Sequence, residues 1–185
     1  MIPGFSSGDW AVTHLKHFLQ RQGYRVYTAG IWYNPGPTPR LTRRLHAAFM
    51  RLSDNTKVML IGISLGGMLA RDLALRHPGR VRCVVTVCSP VRVPVITPLA
   101  PFAAVLAPFY AADWVARRHR IANPLPVPVT ALHAVHDGVV LRDQCWLDDT
   151  GNARNVVVAG RHMTLECTPP GLAAVAEALA GCVIC

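Results

Sequence analysis

The residues best suited to chemistry lie in one run, Ile61-Gly62-Ile63-Ser64-Leu65-Gly66. It follows an apolar, strand-like segment and precedes a helical segment that extends to about residue 77. A serine on such a tight strand-to-helix turn has a strained backbone and an exposed hydroxyl, and a side chain at Gly62 or Gly66 would collide with the neighbouring strand or helix. The pattern predicts a nucleophilic Ser64, with the Leu65 N–H at the positive helix end stabilising negative charge on a substrate oxygen.

A nucleotide-binding turn is the alternative interpretation of this glycine-rich run. A dinucleotide motif needs glycine where Ser64 stands, and the Gly-Lys-Ser/Thr of a phosphate loop is absent from the sequence. We therefore favour the nucleophilic serine.

The elements that must position Ser64 alternate between strand-like and helix-like patterns. Short valine-rich runs predict buried parallel strands at 57–63, 81–87, 128–135 and 155–159, with a fifth candidate at 24–28. Apolar residues at helical spacing predict amphipathic helices around 10–19, 41–52 and 172–179. Thr38-Pro39 and Thr168-Pro169 each predict a helix start. Strict alternation favours an α/β fold with a parallel sheet.

With these motifs, the sequence resembles the α/β-hydrolase superfamily, and within it the small lipase and esterase-like hydrolases. Besides the serine turn, the resemblance rests on the runs at 3–5, 22–26, 34–38, 88–90, 135–140 and 160–162. It implies one α/β-hydrolase domain over 1–185, a mostly parallel central sheet flanked by helices. The family's first two strands have no counterpart here, so either the fold is minimal or the start is trimmed.

The resemblance also implies a Ser-Asp-His triad in that chain order. Asp137 follows the third strand in an Asp-Gly-Val-Val context, with Asp143 as the nearby competitor and a turn-capping role as the alternative for Asp137. His162 follows the last strand and is the expected base, whereas His133 is expected to be a structural residue of a strand and His136 a neighbour of the acid loop.

These assignments predict a serine hydrolase that cleaves carboxylic esters through an acyl-enzyme. The second oxyanion donor of the family matches the Phe5 N–H, where Pro3-Gly4 replaces the usual His-Gly pair. An acyltransferase or thioesterase with the same triad, and a non-catalytic binding member of the fold, remain open alternatives. No cofactor or metal is expected, since His14 and His17 lack a third ligand in local register.

The resemblance also implies that the segment 91–126, which is apolar and proline-rich here, is a lid or cap inserted into this domain. No charged residue occurs between 93 and 112, but four prolines there argue against a membrane-spanning helix. We expect an acyl pocket or lipid-facing surface to be lined by the aromatic side chains of the insertion, with completion of the core as the alternative. The residues are Phe102, Phe109, Tyr110 and Trp114, together with Leu99, Val105 and Leu106.

Composition limits the partners and the compartment. The chain of 185 residues has a net charge of +9, which favours contact with anionic membrane surfaces, but it has no zinc-finger or RNA-recognition motif, so nucleic-acid binding is not expected. The six cysteines do not form a dense disulfide scaffold, and the C-x-x-C pair 182–185 lacks a second ligand pair. The opening residues show no secretory signal, so we expect a cytoplasmic protein with a small-molecule or lipid ester substrate.

Overall fold

The structure is a computed structural model that describes residues 1–52, 56–92, 94–110, 112–148 and 151–182. It contains a parallel sheet flanked by helices. The strands are β1 (Val58–Ile63), β2 (Val81–Val87), β3 (Val129–His136) and β4 (Ala153–Arg161). The helices are α1 (Thr13–Arg21), α2 (Pro39–Met50), α3 (Leu65–Arg76), α4 (Ala100–Leu106), α5 (Trp114–Ala122), α6 (Arg142–Cys145) and α7 (Pro169–Gly181).

The four strands pair in the order β1-β2-β3-β4, and every pair is parallel. Their carboxyl ends therefore meet at one edge of the sheet, where ligand sites of open α/β sheets form. The predicted α/β architecture and the four main strands are confirmed. The fifth candidate, 24–28, is not a strand in this structure; beside β1, Ile2 instead makes an isolated parallel bridge with Gly62.

Helices cover both faces of the sheet because the valine-rich strands are apolar on both sides. On one face, α2, α3 and α5 bury residues such as Phe49, Leu73 and Ile121 against the sheet. On the other face, α1 and α7 bury Leu15 and Leu179 in the same way. The result is a three-layer arrangement in which the sheet is the middle layer.

Both predicted helix starts are present, but the two threonines differ in whether their side chains cap the helix. Thr38 caps α2, because its side-chain oxygen accepts a hydrogen bond from the Leu41 N–H at 3.2 Å. Helix α7 begins directly after Thr168, as predicted, but the Thr168 hydroxyl donates to the Leu165 carbonyl and makes no cap bond.

The segment between β2 and β3 contains α4, a 3₁₀ turn (Ala107–Phe109) and α5. The two helices differ in how they are held: α5 packs against α3, whereas α4 lies over the carboxyl edge of the sheet, where its residues border the cavity described below. Among the described residues, no helix combines the length and the hydropathy that crossing a bilayer requires.

Candidate active site

Ser64 occupies the turn between β1 and α3 with a strained backbone. Its φ is +51° and its ψ is −123°, a region that residues with a side chain rarely adopt. A Cβ on Gly62 would collide with the backbone of Gly66 and Gly67, and a Cβ on Gly66 would collide with the backbone of Ile2. Both glycines are therefore needed for the turn to form, for the steric reason expected from the sequence.

The structure brings the three predicted triad side chains together. Ser64 Oγ lies 3.1 Å from His162 Nε2, and His162 Nδ1 lies 2.9 Å from both carboxylate oxygens of Asp137. Because a carboxylate only accepts hydrogen bonds, Nδ1 carries the proton, and Nε2 of the neutral ring is free to accept from the Ser64 hydroxyl. This is the arrangement in which a histidine removes a proton from a serine nucleophile.

Asp137 is held as an ionised, buried carboxylate. Its side chain is almost fully buried, and its Oδ1 accepts hydrogen bonds from the N–H groups of Val139 at 2.9 Å and Val140 at 2.8 Å. Burial alone would raise its pKa, but the hydrogen bonds from His162, Val140 and Val139 together keep the pKa of Asp137 below its usual range. The carboxylate can therefore hold the imidazole in one tautomer and stabilise the imidazolium.

The other candidates for acid and base lie apart from this chain of hydrogen bonds. Asp143 is on the exposed first turn of α6. His133 is buried in β3, where burial lowers its pKa, and His136 is exposed at the end of the same strand. Within the described ranges, Asp137 is the carboxylate that contacts His162.

Two backbone N–H groups beside Ser64 are free to bind an oxyanion. Within the part of the chain that the structure describes, neither the Phe5 N–H nor the Leu65 N–H donates a hydrogen bond. Leu65 is the first residue of α3, and a Cβ on Gly4 would lie only 3.3 Å from the Ser64 Cβ, so the loop that carries Phe5 passes directly beside the serine. Such a pair of donors fits the requirement of an oxyanion hole.

Asn34 fixes the loop that carries Phe5, a role that sequence reasoning missed. This fully buried residue donates from Nδ2 to the Pro3 carbonyl at 2.9 Å and accepts from the Ser6 N–H at its own carbonyl at 2.8 Å. The only sequence signal was an asparagine in the turn that precedes α2, which is also typical of an ordinary loop.

A cavity of about 740 Å³ opens beside Ser64 and His162. Its wall is predominantly apolar, and the α4 region of the insertion contributes Leu99, Val105 and Leu106. The remaining lining residues are Gly4, Phe5, Ser6, Ser7, Trp10, Ala11, Val12, Tyr33, Ile63, Val139, Met163, Glu166 and Cys167. A volume of this size accommodates a small organic molecule.

Three of the four aromatic residues predicted to line the pocket, Phe109, Tyr110 and Trp114, are not among the residues that border this cavity. Trp114 is only 6% exposed. It lies in the core on the α3 side of the sheet because α5 packs against α3. Tyr110 is half-buried beside Gly36, and Phe109 is 68% exposed to solvent. The side chain of Phe102 is outside the described part of the structure.

Glu166 was not singled out from the sequence, although it belongs to the cavity wall. It lies on the 3₁₀ turn (Leu165–Cys167) that follows His162, and its residue is only 7% exposed. Burial raises the pKa of its carboxyl. The sequence signal was an acidic residue four positions after the histidine, next to Leu165.

Among the residues that the structure describes, two groups of potential metal ligands include Asp137. Cys88, Asp137 and His162 form one, and His133, Asp137 and Cys145 form the other, each with ligand atoms within 4.8 Å of one another. Both depend on Asp137, whose Oδ1 already accepts from two backbone N–H groups and which bonds to His162 through both oxygens. These contacts serve the hydrogen-bond chain to Ser64.

Comparison with known proteins supports the same fold. A family model described as alpha/beta hydrolase fold matches residues 2–135. No curated protein matches the sequence significantly.

Several solved structures are similar to this chain. An esterase of Pyrococcus furiosus has a TM-score of 0.68 at 18% identity, over 97% of this chain and 81% of that chain. One structure from a study of two metagenome-derived lipolytic enzymes, LipS and LipT, has a TM-score of 0.70 at 15% identity, over 99% of this chain and 91% of that chain. A methylesterase from Arabidopsis has a TM-score of 0.67 at 14% identity, over 97% of both chains. At these identities the likeness shows the fold alone.

Proposed function

The chain belongs to the α/β hydrolase fold family, and on that premise we propose that it is a serine hydrolase that cleaves carboxylic esters. The observation that carries the proposal is the hydrogen-bonded series Ser64, His162 and Asp137 at the wall of an apolar cavity. A buried carboxylate, an oriented imidazole and a strained serine together supply the groups that acyl transfer needs.

In the acylation step, Ser64 Oγ attacks the ester carbonyl while His162 Nε2 takes the hydroxyl proton. Asp137 accepts from Nδ1 throughout and stabilises the imidazolium that forms. The 3.1 Å distance between Oγ and Nε2 is within hydrogen-bond reach for this transfer. The imidazolium then gives its proton to the departing alcohol, which leaves an acyl group on Ser64.

The carbonyl oxygen becomes negatively charged in the tetrahedral intermediate. The free N–H groups of Phe5 and Leu65 are the proposed donors to it, and the positive end of α3 adds to their effect. Water activated by His162 then releases the acid and restores Ser64.

The cavity supports an ester with an apolar carbon chain as the substrate. Leu99, Val105 and Leu106 come from the insertion 91–126, which we propose acts as the lid or cap of the site. Val105 is 73% exposed while it also borders the cavity, as expected of a surface that rests on a substrate or a lipid interface. The net charge of +9 supports an approach to anionic lipid surfaces.

The proposal is tested by covalent labelling with a fluorophosphonate, measured by intact mass, on the parent chain and on Ser64→Ala and His162→Ala. We expect one label per parent chain and none on either variant. In a separate assay, the unlabelled parent chain should release p-nitrophenol from p-nitrophenyl esters, and neither variant should do so. A folded parent chain that takes no label would contradict the proposal and favour a non-catalytic member of the fold. A parent chain that takes the label but does not hydrolyse the esters, and that turns them over once an alcohol or thiol acceptor is added, would favour an acyltransferase.

A further inference from the structure

Cys88 directly follows β2 and has a strained backbone. Its φ is +49°, and among the described residues other than glycine a positive φ recurs only at Ser6 and Ser64. Ser6 borders the cavity and Ser64 is the proposed nucleophile. Strained residues of this kind concentrate at functional sites, where the surrounding structure holds them in place. The strain at Cys88 therefore raises the question of what this residue does beside the catalytic centre.

The backbone around Cys88 joins two parts of that centre. The carbonyl of the preceding residue, Val87, accepts from the Ser64 N–H at 2.8 Å. The Cys88 N–H donates to the Leu132 carbonyl of β3, also at 2.8 Å. Asp137 follows β3 directly. Cys88 is thus held between the turn that carries the serine and the strand that leads to the acid.

The side chain of Cys88 lies beside the acid of the triad. Its Sγ, a carboxylate oxygen of Asp137 and a ring nitrogen of His162 lie within 4.8 Å of one another, and Cys88 is fully buried. Oδ1 of the carboxylate accepts from the N–H groups of Val139 and Val140 as well as from His162. Within the described chain, Oδ2 accepts from His162 but from no backbone N–H. Oδ2 therefore has capacity for one more donor.

The thiol of Cys88 is suited to be that donor. Burial, the charge of Asp137 and a hydrogen bond with its carboxylate all raise the pKa of Cys88, against a smaller lowering by the Ala134 N–H. The sulfur therefore keeps its proton. Since an ionised carboxylate only accepts hydrogen bonds, a protonated thiol in contact with it acts as the donor.

Resting on the serine hydrolase function proposed above, we propose that Cys88 is a positioning residue whose thiol donates a hydrogen bond to the carboxylate of Asp137. This bond helps to hold the carboxylate against His162 Nδ1, which keeps His162 Nε2 aligned with the Ser64 hydroxyl. Cys88 acts only through Asp137, because its side chain is buried and does not border the cavity. It supplies from a side chain what Val139 and Val140 supply from the backbone.

The test compares the parent chain with Cys88→Ala and Cys88→Ser in the hydrolysis of p-nitrophenyl butyrate. Both variants keep the Cβ atom, so they share the backbone strain of the parent chain and differ in the group that can donate. Cys83→Ala is the matched control, since Cys83 is an equally buried cysteine of β2 that lies outside the groups around Asp137. Circular dichroism and thermal unfolding verify the fold of each variant.

We expect Cys88→Ala to lower kcat about fivefold with KM unchanged, because losing one weak hydrogen bond to a charged group disturbs the base but not substrate binding. Cys88→Ser should recover most of the activity, because its hydroxyl also donates. Cys83→Ala should match the parent chain. Equal losses in the alanine and serine variants would assign Cys88 a packing role, and an unchanged kcat in Cys88→Ala would assign it none; either result overturns the inference.

Infrared spectroscopy tests the same contact without turnover. The S–H stretch of Cys88 is the band that Cys88→Ala or Cys88→Ser removes, and a hydrogen bond to a carboxylate lowers its frequency. We expect the frequency to rise in Asp137→Asn, whose acceptor is uncharged, and to stay constant in Asp143→Asn. A band that Asp137→Asn leaves in place overturns the inference. If the parent chain hydrolyses no ester, the proposed function fails, and the infrared result alone then decides whether the thiol binds Asp137.

Discussion

The catalytic centre and the insertion that borders it are built in different ways. Around Ser64, each polar group of the triad has a partner: Asp137 bonds to two backbone N–H groups, and His162 bonds at both nitrogens. The α4 region of the insertion carries Val105, which is mostly exposed. Under the proposed function, the reaction would depend on the hydrogen-bonded edge of the sheet, and the choice of substrate would depend on the more exposed surface of α4.

The second helix of the insertion belongs with the rigid part. In α5, Arg117 forms an ion pair of 2.9 Å with Asp72 of α3, and both side chains are 6% exposed. Arg71 of α3 donates to the carbonyls of Ile121 at 2.8 Å and Asn123 at 2.7 Å. The α5 end of the insertion is thus held against α3 by these contacts.

The largest expected effect is at the centre. Asp137→Asn keeps the shape of the acid but lets the side-chain amide donate to His162, so the ring takes the wrong tautomer and kcat should fall about 10⁴-fold. Measurement of p-nitrophenyl ester hydrolysis with circular dichroism as the folding control tests this. Asp143→Asn is the matched variant and should retain the parent activity; a loss there instead would make Asp143 the acid.

The next largest loss of activity is expected from a substitution in the turn between β1 and α3. In Gly66→Ala, the new methyl group meets the backbone of Ile2 and Pro3, so the loop that carries Phe5 must move and one oxyanion donor is displaced. We expect kcat to fall on the order of a hundredfold, the usual result of losing such a donor. Gly79→Ala is the control, because a methyl group there has no heavy atom within 4 Å. Equal activities of the two variants would contradict this role of the loop.

Removing the ion pair between Arg117 and Asp72 should lower the stability of the fold more than the catalytic activity. Arg117→Met leaves the buried Asp72 carboxylate with the half-exposed Arg76 as its remaining partner. We expect the free energy of unfolding to fall by about 2 kcal/mol, measured by urea denaturation. Arg120→Met, an exposed position on the same helix, should stay close to the parent chain. Similar losses in both variants would show that the ion pair is not the anchor.

The smallest effect is expected on α4. Val105→Ser should leave stability unchanged, because this side chain is already exposed, and should lower kcat/KM about fivefold for long-chain esters while acetate is unaffected. Phe109→Ser is the matched control, since Phe109 is exposed on the same insertion and does not border the cavity. A parallel loss in both variants, or a loss on acetate, would remove α4 from substrate selection.

Local patterns made most of the fold predictable. The valine-rich runs predicted the four strands, and Thr38-Pro39 predicted the start of α2, because these signals depend on neighbouring residues alone. The candidate at 24–28 failed because an apolar run becomes a strand only when a partner strand pairs with it. The prediction that Trp114 lines the pocket was wrong because residue type does not determine which face of a helix is buried. Trp114 lies on the face of α5 that packs in the core.

The sequence by itself determined which groups are available for chemistry: a serine on a glycine turn, an acid after the third strand and a histidine after the last. These follow from chain order and from the steric limits of a tight turn, both of which are local. Only the tertiary structure decided that Ser64 and His162, 98 positions apart, lie within hydrogen-bond distance, and that Glu166 borders their cavity. Distances between remote residues are set by the packing of parallel strands, whose carboxyl ends meet at one edge.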